Sequence, residues 1–479
     1  MAQYIPTELG TRSIPRLLFQ YAVPAIIAMT AASLYNIVDS IFIGHIGPDG
    51  GWGNSDGMAI SGLALTFPLM NISVALGAMV GVGASTVISV RLGQREYKTA
   101  QQVLGNTVVL NILLGAIFMV ACLAYIDPIL RIFGASDATL PYARDYMVVI
   151  LLGNIISHSY FGLNAVLRSA GHPQKAMYCT ILTVVVNAIL DPIFIFWLGM
   201  GIKGAATATI LSQLISLIWQ FKLLSNKQEM LHLHSGIYRL KPHIIRQIIA
   251  VGMSPFLMNL CACLVVLLIN KGMKEYGGDT AIAAYGIVNR VVFLFLMMVM
   301  GLNQGMQPIV GYNWGARQNE RVWQTLKLTI LCAEVVVITG FIMGELFPNT
   351  LTHLFTDNAP IVAMADRGFR IDVMVFPIVG AQMVIGNFFQ SIGHAGKSIF
   401  QSLTRQMLFL IPGLILLPPR FGLDGVWLAI PVSDTFSFFV SMGMLWWLVR
   451  KVKDPTPALS RGRVDNNSSP SGEARRGVV

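Results

Sequence analysis

The sequence predicts an all-α integral membrane protein with twelve transmembrane helices in two six-helix lobes. Of its 479 residues, 54% are hydrophobic and only 12% are charged, about half the charged fraction of a soluble domain. Mean hydropathy is +0.65, and apolar runs of at least about 20 residues, long enough to cross a bilayer as helices, recur along the chain. The same motifs also occur twice at a constant spacing. Together these observations indicate a duplicated bundle of membrane helices.

The apolar runs predict six spans in each half of the chain. In the first half we expect spans 1 to 6 near residues 15–45, 58–90, 103–125, 140–165, 176–198 and 203–224. In the second half we expect spans 7 to 12 near residues 244–270, 281–311, 322–347, 369–392, 399–419 and 424–450. The first span carries Pro24, which predicts a kink through which the helix continues.

These spans predict five segments in the chain. We expect a cytoplasmic N-terminus (1–14), an N-terminal lobe (15–225), a polar and basic cytoplasmic linker (226–242), a C-terminal lobe (243–452) and a cytoplasmic tail (453–479). The tail is rich in Pro, Ser, Gly and Arg and has almost nothing to bury, which predicts disorder. The N-terminus lacks the basic start and cleavage site of a signal peptide, so the first apolar run is expected to remain as a helix.

The two halves repeat in register. Gly93-x-Arg95 recurs as Gly315-x-Arg317, and the turn at 169–175 (Ser-x-Gly-His-x-x-Lys) recurs at 391–397, both at an offset of 222 residues. A constant register over such a length indicates a true internal repeat. Because each half has an even number of spans, both halves enter the membrane in the same direction. The repeat is therefore parallel, and we expect the substrate path between the halves.

Basic residues fix the predicted orientation. Alternate loops hold 20 Lys and Arg residues on one side, Arg405 counted among them, and 8 on the other. By the positive-inside rule both termini face the cytoplasm, in a bacterial inner membrane. The loop from Gly44 to Gly57 has no basic residue and is expected outside. The net charge of +10 is spread over these loops, which argues against nucleic-acid binding. We expect a monomer surrounded by membrane lipid.

Two aspartates lie where a charge is hardest to accommodate. Asp191 stands in the apolar stretch 183–198, with Asn187 one helical turn before it and Pro192 directly after it, where the helix should kink or end. Asp39 lies late in span 1, at a similar predicted depth. A charge inside a membrane span costs roughly 2.5 to 3.5 kcal/mol on insertion scales and marks a functional site by default. Two neighbouring carboxylates require a shared proton or a bound cation.

Neutral oxygen donors accompany the two carboxylates on the neighbouring spans. Asn164, Asn187 and Thr209 lie on spans 4, 5 and 6, and hard cations are bound by several such oxygens. The sequence therefore predicts a site for H⁺ or for Na⁺, the latter at Asp39, Asn187 and Asp191. The alternative is that these polar side chains only join helices by hydrogen bonds.

The second half offers candidates for a substrate cavity or gate. Arg290 with Asp372 predicts either a structural ion pair or a gate. The polar segment 303–308 predicts a distorted helix that lines a cavity. The full set of tentative cavity or gating residues is Pro24, Tyr35, Asn36, Arg290, Met297, Gln304, Gln307 and Asp372. Met297 belongs to a cluster of methionine and phenylalanine that suits varied apolar ligands, although ordinary lipid-facing packing explains it equally.

Enzymatic motifs are missing from the sequence. It has no nucleophile elbow, no HExxH pair and no dinucleotide fingerprint, and the phosphate-loop lookalike at 393–398 has Ser391 where the first glycine belongs. The five cysteines lie in apolar runs without metal-ligand spacing, which favours a packing role. We therefore expect no catalytic activity and no cofactor. The energy for transport is expected from an ion gradient.

The repeated motifs resemble those of one family. The twelve spans in two halves, Gly-x-Arg after spans 2 and 8, Gln-Gly-x-Gln-Pro in span 8 and the Gly-His-x-x-Lys turns resemble the multidrug and toxic compound extrusion (MATE) family over about residues 10–450. The resemblance is strongest to the bacterial MepA-like exporters. It implies V-shaped lobes that alternate access, and export of cationic or amphipathic drugs in exchange for H⁺ or Na⁺.

The resemblance also assigns residues. The DinF-like branch places its cation site in the N-terminal lobe, and its motif matches Asp39, Asn164, Asn187, Asp191 and Thr209. The NorM-like branch uses a glutamate on span 7 with an aspartate on span 10. Span 7 here has no acidic residue, so Asp372 stands without that partner.

Two other functions stay open at this point. A lipid-linked precursor flippase of the same superfamily would need cationic residues in its cavity, and only Arg290 is a clear candidate. A membrane-embedded transferase would need clustered His, Asp or Arg on cytoplasmic loops, which the sequence does not show. A multidrug antiporter is the function that the sequence favours.

Overall fold

The computed structural model describes residues 6–46 and 58–453, and in these residues the regular structure is helical, without strands. The helices of the first half are α1 (Glu8–Thr11), α2 (Ile14–Gly44), α3 (Met58–Gly93), α4 (Tyr97–Ala124), α5 (Ile126–Ile132), α6 (Leu140–Leu152), α7 (Asn154–Ser169), α8 (Pro173–Pro192) and α9 (Ile202–Leu224). Those of the second half are α10 (Pro242–Gly315), α11 (Asn319–Leu346), α12 (Pro348–His353), α13 (Ala359–Val373), α14 (Phe376–Ser391), α15 (Ala395–Leu403), α16 (Ile411–Leu416), α17 (Pro418–Phe421) and α18 (Leu423–Lys453). Two π-helical segments, Ile193–Trp197 and Thr404–Leu410, interrupt spans 5 and 11.

The predicted twelve spans are confirmed. Nine stretches of the described chain are long and apolar enough to cross a membrane, and α6–α7 and α13–α14 form two more as pairs bent by 56° and 53°. The long helix α10 counts twice because Gly278 breaks it with φ 68° and ψ −162°, which gives 9 + 2 + 1 = 12. Span 10 begins at Ala359, ten residues before the predicted start. Its first helix contains Asp366, Arg367 and Arg370, which hide it from a search for apolar runs.

The backbone reproduces the predicted repeat. Arg95 (φ 62°) and Arg317 (φ 58°) are the two residues other than glycine with positive φ in the described chain, and they lie 222 residues apart. Gly171 and Gly393, at the same offset, have φ of 95° and 75°. A left-handed arginine is sterically unfavourable, so its recurrence at equivalent positions shows that one turn is built twice. The structure therefore has two six-helix lobes related by a parallel repeat.

The lobes meet through reciprocal glycine contacts. A Cβ added to Gly93 would collide with the Tyr312 carbonyl oxygen, and one added to Gly315 would collide with that of Val90. Glycine at both positions lets α3 and the second half of α10 cross with their backbones in contact. The same reciprocity would be required of any pair of surfaces related by a two-fold axis.

Polar contacts between the lobes lie at the same end of the molecule. Gln307 Nε2 donates to Thr86 Oγ1 (2.7 Å), and Asn313 Nδ2 donates to the Leu9 carbonyl oxygen (2.9 Å). Gln304 Nε2 lies 3.2 Å from Met29 Sδ, the most distant of these contacts along α2. Asp39 lies ten residues further along that helix, or roughly 15 Å. At that end the N-terminal lobe has a hydrophobic core of its own, separate from the core that joins the lobes.

Two local predictions have different outcomes. Helix α2 continues through Pro24, as predicted, and Ala22 and Ile26 on either side of it contact Gly305 and Gly301 of α10. The predicted distortion of 303–308 is wrong, since Gly278 is the one non-helical residue within α10. A glycine every fourth residue and the buried Gln307 instead allow this stretch to pack tightly against the other lobe.

The chain between the lobes runs along α4. Asn106 receives a hydrogen bond from the Lys241 amide (2.9 Å) and donates one to the Arg239 carbonyl (3.2 Å). The predicted external turn falls mostly on residues 47–57, and the predicted tail on residues 454–479; both lie outside the described residues.

Candidate functional site

The two intramembrane aspartates come together in the N-terminal lobe. Asp39 is five residues from the end of α2 and Asp191 is one residue from the end of α8. Their side-chain carboxyl groups lie within hydrogen-bonding reach of each other, and they are 7% and 0% exposed. Two carboxylates at such a separation, away from water, repel strongly unless a proton or a cation lies between them.

Pro192 shapes the backbone beside Asp191. Helix α8 ends at this proline and continues as the π-helical segment Ile193–Trp197, which confirms the predicted break. Proline has no amide hydrogen to continue the α-helical pattern, and π-helical turns occur frequently at functional sites. The local sequence thus turns the helix at the residue that carries the buried carboxylate.

Asn187 links the carboxylate to the next helix. Its Nδ2 donates to Asp191 Oδ1 (3.2 Å) and lies 3.4 Å from Thr209 Oγ1 on α9. All three side chains are buried. The structure therefore brings together four of the five predicted ion-site residues, Asp39, Asn187, Asp191 and Thr209.

The cluster is rich in acceptors and poor in donors. Asp39 Oδ1, Asp191 Oδ2 and Asn187 Oδ1 are buried and have no hydrogen-bond donor in the described structure. No Lys, Arg or His in the described part of the chain forms an ion pair with either aspartate. Buried oxygens without donors are costly, and a proton or a small hard cation would satisfy them. The donor set fits H⁺ or Na⁺ equally.

Asn164 lies elsewhere in the same lobe. Its Oδ1 accepts a hydrogen bond from Arg168 (2.5 Å), and its Nδ2 donates to the Ala176 carbonyl (3.0 Å). Ala176 is near the start of α8, fifteen residues before Asp191, or roughly 22 Å along the helix. In this conformation Asn164 belongs to the opposite end of the bundle, and its role at the ion site stays a prediction.

The C-terminal lobe holds a different charge cluster. Asp372 is 7% exposed and interacts electrostatically with Arg405 and Asp434. Arg405 Nε donates to Asp434 Oδ1 (2.6 Å), an ion pair between spans 11 and 12. The predicted pair of Arg290 with Asp372 is wrong, because Arg290 is exposed and the arginine near Asp372 is Arg405.

The predicted place of Arg405 among the cytoplasmic loops is also wrong. Arg405 lies in the π-helical segment Thr404–Leu410, within span 11. The sequence carries a signal for this, since position 405 falls inside the predicted span 399–419. An arginine within a span indicates a buried acidic partner.

Sequence reasoning also missed a neutral polar cluster at the bend between α6 and α7. Ser73 Oγ donates to Asn154 Oδ1 and lies 3.3 Å from His158 Nε2. Asn154 and His158 are fully buried and four residues apart in an apolar span. That spacing was the signal, because it places both on one helix face.

The other predicted cavity residues have varied surroundings. Met297 is half-buried, and Gln304 and Gln307 contact the N-terminal lobe. The side chains of Tyr35 and Asn36 lie outside the described part of the structure. Their assignment to a substrate cavity stays a prediction.

Comparison with known proteins agrees with this architecture. The family model MatE matches residues 24–193 and 252–415, once in each lobe. The multidrug export protein MepA of Staphylococcus haemolyticus is 27% identical over 436 residues, covering 91% of this chain and 94% of MepA.

Solved structures superpose closely. The MATE multidrug transporter DinF-BH, solved with a bound ligand, is 36% identical, with a TM-score of 0.83 and coverage of 91% of this chain and 96% of that one. An outward-facing multidrug resistance MATE transporter of the MOP superfamily is 25% identical, with a TM-score of 0.86 over 94% of this chain and 98% of that one. With the family model matched in both halves, the chain belongs to the MATE family of multi-pass membrane transporters.

Proposed function

We propose that this protein exports organic cations or amphipathic compounds in exchange for H⁺ or Na⁺, by alternating access between its two lobes. One observation carries the proposal, namely the buried contact of Asp39 with Asp191, which has no basic partner in the described chain. A site that needs a mobile cation for neutralisation is suited to ion coupling.

The proposed coupling uses the connection between this site and the lobe interface. Both ends of the connection lie on α2, with Asp39 near one end and Pro24 between the residues that contact α10. Neutralising the carboxylates would remove their repulsion and allow α2 to approach α8. A change of the α2 bend at Pro24 would then alter the packing of Ala22 and Ile26 against α10. In this way ion binding favours one arrangement of the lobes over the other.

The proposed orientation gives this structure its place in the cycle. With both termini in the cytoplasm of a bacterial inner membrane, the lobe contacts lie on the cytoplasmic side and the carboxylates on the outer side. The lobes closed at the cytoplasmic end correspond to an outward-facing arrangement. We further propose that residues 15–225 and 243–452 move as lobes around the linker 226–242, with the segments 1–14 and 453–479 in the cytoplasm. The functional unit is proposed to be a monomer.

The choice of drug substrates rests on relatives. MepA is a multidrug export protein, and DinF-BH is a multidrug transporter. Ethidium efflux from proteoliposomes, driven separately by a pH gradient and by a Na⁺ gradient, tests both substrate class and ion. We expect efflux under one gradient and its loss in Asp191→Asn.

Asp145→Asn is a matched control for that experiment. It removes the same charge from a half-exposed aspartate that pairs with Lys203 (3.2 Å), outside the cluster. Its efflux should equal that of the wild type. Absence of ethidium efflux under both gradients in a folded wild-type protein would contradict drug export and favour the flippase alternative. Full efflux in Asp191→Asn would contradict coupling at this site.

A further inference from the structure

The repeated Gly-His-x-x-Lys turn is neutralised within the chain in one lobe only. In the N-terminal lobe, His172 Nε2 and Lys175 Nζ lie 2.9 Å and 3.6 Å from Glu229 Oε1. Glu229 comes from the linker and has no counterpart in the repeat, because the C-terminal lobe is followed by the chain end rather than by a second linker. The first turn therefore has its own carboxylate.

The second turn gathers basic groups instead. Lys397 Nζ lies 4.1 Å from the centroid of the Trp447 ring, and Lys451 Nζ lies 5.2 Å from the same centroid. Arg450 Cζ lies 3.6 Å from the Trp446 centroid. Among residues 6–46 and 58–453, no carboxylate forms an ion pair with these three cations. Two ammonium groups thus share one indole, and their mutual repulsion is only partly offset by cation–π attraction.

His394 responds to the same positive potential. Burial, Lys397 and Lys451 together lower the pKa of its imidazole from the ordinary value. The imidazole is therefore neutral at pH 7 and adds no charge of its own. The lysines dominate the potential at this turn.

The surface beside these lysines is apolar and grooved. A groove of about 340 Å³ is lined by Lys397, Val440, Gly443, Met444 and Trp447. Gly443 keeps it open, because no heavy atom lies within 4 Å of the position its Cβ would take. Trp446 and Trp447 are 56% and 48% exposed in the last part of α18. Exposed tryptophans with basic residues at the end of a span are typical of the membrane–water boundary.

We propose that this groove binds an anionic phospholipid, with the phosphodiester between Lys397 and Lys451 and one acyl chain along Val440, Gly443 and Met444. The lipid phosphate supplies to this turn the negative charge that Glu229 supplies to the other. Charge complementarity selects the headgroup, since each basic residue near the surface strengthens binding to anionic lipid several-fold. The apolar wall accommodates the chain, which a soluble anion lacks. The proposal does not depend on which substrate the protein transports.

Quenching of tryptophan fluorescence by brominated lipids tests the proposal. The full-length protein is reconstituted into phosphatidylcholine vesicles, and brominated phosphatidylglycerol or brominated phosphatidylcholine is titrated in. We expect wild-type protein to bind the glycerol lipid on the order of tenfold more tightly. The double variant Lys397→Gln/Lys451→Gln should lose this preference.

Two controls separate local binding from general charge effects. Lys98→Gln/Lys175→Gln removes the same charge from the N-terminal lobe and should keep the preference. Gly443→Leu fills the groove, leaves all lysines in place and should weaken quenching by the anionic lipid. Each variant is first shown to be monodisperse with wild-type thermal stability, so that misfolding is detected.

Three results would overturn the proposal. The first is equal quenching by both lipids in the wild type. The second is a preference retained in Lys397→Gln/Lys451→Gln. The third is full reversal of the preference by inorganic phosphate at low concentration, which would identify a site for a soluble anion.

Discussion

The two lobes share one backbone plan and treat buried acids in opposite ways. In the N-terminal lobe Asp39 and Asp191 face each other without a basic partner in the described chain. In the C-terminal lobe Asp434 is held by Arg405, with Asp372 nearby. The first arrangement requires a cation from solution, whereas the second carries a cation covalently attached to its helix. The comparison assigns ion coupling to the first lobe.

The repeat shows where the difference arises. The position equivalent to Arg405 at the offset of 222 is Thr183, whose Oγ1 donates to the Cys179 carbonyl of its own helix (3.0 Å). A threonine satisfies itself within one helix and leaves the acids of its lobe unpaired. An arginine needs an acidic partner and neutralises it permanently. One position in the repeat thus separates a fixed charge pair from an exchangeable one.

Removing Arg405 should have the largest effect. Arg405→Gln leaves Asp434, which is 3% exposed, without its partner, and breaking a buried pair in this way costs roughly 3 kcal/mol or more. We expect a clearly lower midpoint of thermal unfolding in detergent. Arg405→Gln/Asp434→Asn should recover most of the loss, because no charge is then left buried alone. An unchanged midpoint in the single variant would show that the pair is not structural.

Asp191→Asn should have the reverse profile. It removes repulsion between two acids, so thermal stability should stay the same or rise. Ion-driven export should fall roughly 5- to 150-fold, the range of typical coupling free energies. Measuring unfolding and efflux on the same preparation separates the two lobes: stability is lost in one and coupling in the other. A destabilised Asp191→Asn would indicate that the carboxylate pair has a structural role.

The coupling ion should itself stabilise the protein. Na⁺ or a lower pH, whichever neutralises the carboxylates, raises the unfolding midpoint because it binds the folded state preferentially. Choline chloride at equal ionic strength controls for screening. The shift should vanish in Asp39→Asn and persist in Asp372→Asn. A shift of equal size in all three proteins would place ion binding outside the N-terminal cluster.

The smallest effect should distinguish the two asparagines. Asn187 contacts Asp191 and Thr209, so Asn187→Ala should weaken apparent ion affinity on the order of tenfold, as loss of a supporting ligand does. Asn164 contacts Arg168 and Ala176 at the other end of the bundle. Asn164→Ala should therefore change the ion concentration for half-maximal efflux by less than about threefold. Equal effects would show that Asn164 reaches the carboxylates in another state of the cycle.

The twelve spans, the repeat and the pairing of Asn187 with Asp191 could all be predicted from the order of the residues. These features depend on local properties, namely the length of an apolar run, a constant register and the 3.6-residue period of a helix. The break at Pro192 belongs with them, because the missing amide hydrogen acts within one turn.

Which charges meet could not be predicted in this way, and the packing of the helices settles it. The contact of Asp39 with Asp191, the pairing of Arg405 with Asp434 and the separation of Asn164 from the ion site all join or separate helices that are distant in sequence. Hydropathy records that a side chain is within a span but not which neighbour it faces. Glu229 illustrates the same limit, because its place beside one of two similar turns depends on the path of the linker. Cross-helix register is set by packing of the whole bundle, and no local pattern in the sequence encodes it.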